Sequence, residues 1–130
     1  MTDHDPQATP FDRLGGRPFF DELAARFYER VAVDPLLRPM YPRDLGPAQE
    51  RMAGFLAQYW GGGTSHYSDA RGHPRLRMRH APYVIDPAAR SAWLTAMLAA
   101  LEACGPIPED LDAAMREYFV SASDFMINTP

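Results

Sequence analysis

The ten residues LRMRHAPYVI at 76–85 set one histidine, His80, between a run of arginines and an apolar tail. An imidazole offers one lone-pair nitrogen to a metal and one N–H that a neighbouring acceptor can fix, so its surroundings decide its use. Pro74 can open a short helix, because a first-turn N–H has no helical partner to lose, and Pro82 closes it. The spacing predicts about two turns over 74–81, with His80 in the last of them. Leu76 stands one turn earlier, and its carbonyl, unpartnered like others of a final turn, is an acceptor for the imidazole N–H.

Three uses of such a histidine are open. The ordinary one is a core imidazole bonded to a carbonyl. Zinc is a second, because His66, His73 and His80 recur every seven residues. Gly72 and Pro74 break any shared helix there, however, and no second ligand pair stands at helical spacing. The third is an axial ligand to a haem iron, which needs one oriented imidazole and two apolar walls around a flat disc. Leu76, Tyr83, Val84 and Ile85 supply apolar surface beside His80, and Arg77 supplies a cation for a carboxylate at the disc edge.

The chain has 130 residues, a length that suits one domain with a real core. All 13 basic residues are arginine, and Arg71, Arg75, Arg77 and Arg79 crowd around His80. With a net charge of −4 the molecule as a whole does not suit nucleic acid, and guanidinium forks suit carboxylates instead. No apolar run reaches the roughly 18 to 20 residues of a membrane span. Cys104 is the single cysteine, which excludes an internal disulfide and fits the cytoplasm. Residues 1–10 read as a disordered arm and 11–130 as the domain.

The elements that must position these groups read as helices. Phe20, Leu23, Ala24, Phe27, Tyr28 and Val31 recur at three and four residues, which predicts a helix over about 18–32. FDRLGG before it is a short helix stopped by Gly15 and Gly16. DPLLRPMYPRDLGP holds four prolines and predicts a tight corner carrying Tyr41. Ala48, Met52, Phe55, Leu56 and Tyr59 share the next face, which ends at the glycines 61–63. Trp93, Met97, Ala100, Leu101 and Cys104 mark another helix. Leu111, Met115, Tyr118, Phe119, Ala122 and Phe125 or Met126 mark the last. No strand alternation persists, so the fold class is all-α.

The FY pair at 27–28, the MYP corner at 40–42, FLAQYWGGG at 55–63, RGHPRLRMRHAPYVI at 71–85 and AWL at 92–94 resemble the group II truncated haemoglobins of bacteria, from about Phe11 to Asn128. The resemblance implies a two-over-two helical sandwich around haem b, with His80 as the proximal ligand. It implies that Tyr28, Tyr41 and Trp93 are the polar groups of the distal pocket. Ala48 stands where many globins place a distal histidine. Arg51, Met52, Phe55, Leu56, Tyr59, Leu76, Arg77, Arg79, Tyr83, Val84, Ile85, Trp93 and Met97 would surround the haem, the arginines pairing with its propionates.

The expected function is reversible binding of oxygen at ferrous iron, for transport or storage, with carbon monoxide and nitric oxide as further ligands. The Trp93 N–H is expected to be the main brake on release. The alternative is an enzyme that oxidises nitric oxide or uses peroxide, drawing electrons from a separate reductase, because the chain has no length for a flavin or nicotinamide module. No nucleic-acid or membrane partner is expected, and the molecule is read as a monomer or homodimer.

Overall fold

The computed structural model describes residues 8–61 and 84–128. Among them are five α-helices, one 3₁₀ turn and no strand. The first helix, α1 (Pro10–Arg13), starts in a reciprocal capping box: the Thr9 hydroxyl accepts from the Asp12 N–H, and the Asp12 carboxylate accepts from the Thr9 N–H. It stops at Gly15 and Gly16, whose φ values of +95° and +88° are cheap only without a Cβ. This sharp reversal lets Phe11 stack on Phe20, with ring centroids 5.8 Å apart.

Helix α2 (Arg17–Val33) buries the whole stripe foreseen in its sequence: Phe20, Leu23, Ala24, Phe27, Tyr28 and Val31. Its end is set by Asp34, whose carboxylate accepts the N–H groups of Leu36 and Leu37 and turns the chain before a continuing helix can form. The corner that follows contains the 3₁₀ turn Arg38–Met40 and buries Leu37. Helix α3 (Gly46–Gly61) buries Ala48, Ala53 and Leu56, whereas Met52, Phe55 and Tyr59 of the expected stripe are only half-buried.

Helix α4 (Pro87–Ala103) is capped by the Asp86 carboxylate, which accepts from the Ala89 N–H at 2.8 Å. Helix α5 (Glu109–Phe125) buries Leu111, Met115, Tyr118, Phe119 and Ala122. Its stripe ends there: Phe125 is 41% exposed, and Met126 already lies in the closing turn.

Helix α2 packs against both α3 and α4, α4 packs against α5, and α1 packs against α3. Phe20, Phe27, Met97, Leu101, Met115 and Phe119 lie fully buried where these helices meet. Each such side chain contributes about 1.5 to 3 kcal/mol by leaving water. At the far end, the Asn128 N–H donates to the Ile85 carbonyl and the Ile85 N–H donates to the Asn128 side chain, both at 2.9 Å. Arg90 ties α4 to α5 by donating to the Ser123 hydroxyl and the Val120 carbonyl. No helix of the described residues is long and apolar enough to cross a membrane.

Candidate functional site

Three elements deliver the polar groups. Tyr28 comes from the buried face of α2, Tyr41 from the corner, and Trp93 from the second turn of α4. The Tyr28 and Tyr41 rings meet edge to face with centroids 5.5 Å apart, and Trp93 lies 5.4 Å from Phe27, the neighbour of Tyr28. The Trp93 indole N–H and the Tyr28 hydroxyl lie close enough to the Tyr41 hydroxyl to favour its ionised form, against the larger effect of burial. Burial pushes the Tyr41 phenol up to about 12, and burial likewise raises Tyr28. Both phenols are therefore neutral donors at physiological pH.

A donor count gives the trio its chemistry. It holds two O–H groups and one N–H. The trio offers its own members only two hydroxyl oxygens as acceptors, so its protons can also serve a ligand outside it. A buried donor without an acceptor is costly, so the arrangement suits a small polar or polarisable ligand beside it.

The corner that presents Tyr41 is held by a residue the sequence reading overlooked. The Arg38 guanidinium donates to the carbonyls of Tyr41, Pro42 and Arg43, at 3.3, 3.0 and 2.7 Å. A planar fork with five N–H groups can serve three carbonyls at once, and a segment rich in proline has few N–H groups to do so. The only sequence signal was an arginine at the head of a corner with many carbonyls and few donors.

Apolar surface adjoins the trio. Met52, Phe55 and Tyr59 on α3 and Trp93 on α4 are packed on the core but incompletely covered, while Met97 and Leu56 are fully within it. Ala48 is buried near the start of α3, and Ile85 is buried, whereas Val84 is 68% exposed. Arg51 is exposed on α3 and, among the described residues, has no carboxylate partner, unlike Arg13, Arg17, Arg26 and Arg116. Leu76, Arg77, Arg79, His80 and Tyr83, with the helix expected over 74–81, lie outside the described residues. A cleft of about 410 Å³ opens elsewhere, at the α4–α5 turn beside Leu101, Gly105 and Ile107, and none of the candidate residues lines it.

The model of the bacterial-like globin family matches residues 9–125. The chain belongs to this family, as a group II truncated haemoglobin. It is 38% identical over 109 residues to the group 2 truncated hemoglobin YjbI of Bacillus subtilis, covering 84% of this chain and 77% of that one. A thermostable hemoglobin from the actinobacterium Thermobifida fusca is 52% identical with a TM-score of 0.82, over 94% of this chain and 98% of that one. The truncated oxygen-avid haemoglobin from Bacillus subtilis is 33% identical with a TM-score of 0.79, over 92% and 99% of the two chains. The helices of this globin thus form the shortened two-over-two globin sandwich, and membership implies a haem cofactor.

The described residues fit that group. Incompletely covered apolar side chains on α3 and α4 form a surface for a flat hydrophobic disc, and Arg51, without a carboxylate partner among the described residues, is a cation that suits a propionate. The hydroxyls of Tyr28 and Tyr41 and the indole N–H of Trp93 are donors for a small ligand.

Proposed function

We propose that this globin holds haem b through His80 and binds oxygen reversibly. The observation that carries this reading is the trio of the buried Tyr28 and the half-buried Tyr41 and Trp93, whose polar groups the fold gathers around the Tyr41 hydroxyl. When bound, the haem supplies a ferrous iron that takes diatomic gases, carbon monoxide and nitric oxide as well as oxygen. The chain's own residues do the rest. Tyr41, held by Arg38, offers a proton to a ligand that gains negative charge, and Tyr28 and Trp93 fix its direction. Met52, Phe55 and Met97 keep water away, which strengthens those hydrogen bonds. Arg51, with Arg77 and Arg79, pairs with the propionates, while Leu76, Tyr83 and Ile85 complete the proximal wall. The cytoplasm, with its reducing supply, suits a ferrous protein.

A donor-rich pocket retains oxygen, so slow release is expected, and the name of the oxygen-avid Bacillus subtilis relative accords with this. The test is to reconstitute the protein with haem, reduce it, and follow oxygen dissociation by stopped flow beside nitric-oxide consumption under continuous reduction. A ferrous complex with slow oxygen release and no sustained nitric-oxide turnover supports binding as the role. Sustained turnover supports the enzymatic alternative with a reductase, and a colourless protein overturns the proposal.

A further inference from the structure

Helix α1 is four residues long, far below the roughly 12 to 15 at which an isolated helix becomes stable in water, so it persists only while docked. Its docking rests on two side chains. Phe11 stacks on Phe20 of α2 and lies across the last turn of α3: a Cβ added at Gly61 would stand 3.7 Å from the Phe11 Cβ, so the side chain rests directly on that backbone. Arg13 reaches the first turn of α5, where its guanidinium donates to both carboxylate oxygens of Asp110, at 2.8 and 3.0 Å. This short helix thus bridges the end of α3 and the start of α5.

We propose that α1 is a releasable clasp on α3, and that its docking slows the loss of haem. The proposal rests on the haem reading above. Apart from ring contacts with Tyr118 of α5, the close packing of α3 among the described elements is against α2 and α1. The side chains of α3 that this packing leaves half-covered, Met52, Phe55 and Tyr59, are the ones offered to the disc. The turn on which Phe11 rests follows directly from Tyr59 and Trp60, so fraying there opens one end of the apolar surface. Phe11 and Arg13 are therefore positioning residues, which act on haem retention through α3.

Two features make the clasp releasable. Phe11 is only half-buried, so its seat is weaker than a core contact. The Arg13–Asp110 pair has a carboxylate side chain 64% exposed, and pairs of this kind are weak and screened by salt. Opening a short terminal element costs far less than unfolding the whole domain, so α1 lifts while the other helices stay packed. Haem retention consequently depends on ionic strength through this pair. A helix that served only to cover Phe20 would instead lower the stability of the core when weakened, and would give haem loss no salt dependence of its own.

The experiment follows transfer of haem from the loaded ferric protein to excess apomyoglobin by Soret absorbance, at low and at high salt, beside urea unfolding of each variant. Phe11→Ala is expected to speed haem loss about tenfold. Arg13→Gln is expected to speed it by less than about fivefold at low salt and to remove the salt dependence that the parent shows, with urea stability nearly unchanged. Exchanging the pair, Arg13→Asp together with Asp110→Arg, is expected to restore most of the parent's rate and its response to salt. Rates that stay at the parent's value in both single variants, or a parent whose rate ignores salt, overturn the clasp while leaving the haem reading intact. If Phe11→Ala does not fold, Arg13→Gln and the exchanged pair decide alone. A parent without a Soret band overturns both.

Discussion

In the proposed function the chemistry concentrates at Tyr41. Trp93 and Tyr28 both act on its hydroxyl, so Trp93 and Tyr41 are expected to act on a ligand as one network rather than as independent groups. A hydrogen bond of this kind is worth about 1 to 2 kcal/mol, and 1.4 kcal/mol is tenfold. Trp93→Phe and Tyr41→Phe are each expected to raise the oxygen off-rate about five- to thirty-fold. The double variant is expected to fall well short of the product, because neighbours in one network are not additive. Stopped-flow dissociation of the three variants checks this, and full additivity would show that the two groups act separately. The same phenol has a pH signature. Its ordinary value of 10.0 is raised to about 12 by burial, so the fold favours the neutral form. The stability this contributes is complete below pH 10 and is lost as pH rises toward about 12. Melting temperature against pH is expected to fall less steeply in that window for Tyr41→Phe than for the parent; equal slopes would deny Tyr41 a part in the alkaline transition.

At the scale of elements, the corner between α2 and α3 is the piece most dependent on one side chain. Arg38 serves three carbonyls that proline leaves without local donors. Lysine keeps the charge but cannot span three acceptors with a planar fork. Arg38→Lys is expected to cost about 1 kcal/mol in urea unfolding and, because the corner carries Tyr41, to speed oxygen release as well. Loss of stability with an unchanged off-rate would show that the corner folds correctly around Tyr41 without its clamp. The helices themselves depend on local signals, such as the capping box at Thr9 and Asp12 and the Asp86 cap of α4.

At the scale of the whole molecule, a core shared with a cofactor ties stability to occupancy. A ligand that binds only the folded state raises its stability in proportion to the logarithm of ligand concentration over Kd. Added haem is therefore expected to raise the melting temperature of the parent. His80→Ala is expected to abolish most of that rise and the Soret band, with external imidazole restoring part of the spectrum. Unchanged haem retention in the variant would move the axial ligand to another residue.

The helical class was determined by the sequence alone, because the 3.6-residue stripes of α2 and α5 are written in local spacing and the stops at Gly15, Gly16 and Asp34 need no tertiary partner. Tyr28, Tyr41 and Trp93 were legible as candidate pocket residues through the family's motifs, since types and spacing survive in the sequence. What they bond to was not. That Trp93 lies close enough to Tyr41 to influence its phenol depends on residues 52 apart meeting through the packing of α2 against α4, and no local pattern encodes that approach. The clamp by Arg38 was hidden for a related reason: a hydrogen bond to a carbonyl depends on where the backbone turns, not on which side chain the partner bears. Likewise Met52, Phe55 and Tyr59 read as core by periodicity, and only the assembled helices left them half-covered, because neighbouring elements decide which part of an apolar stripe is enclosed.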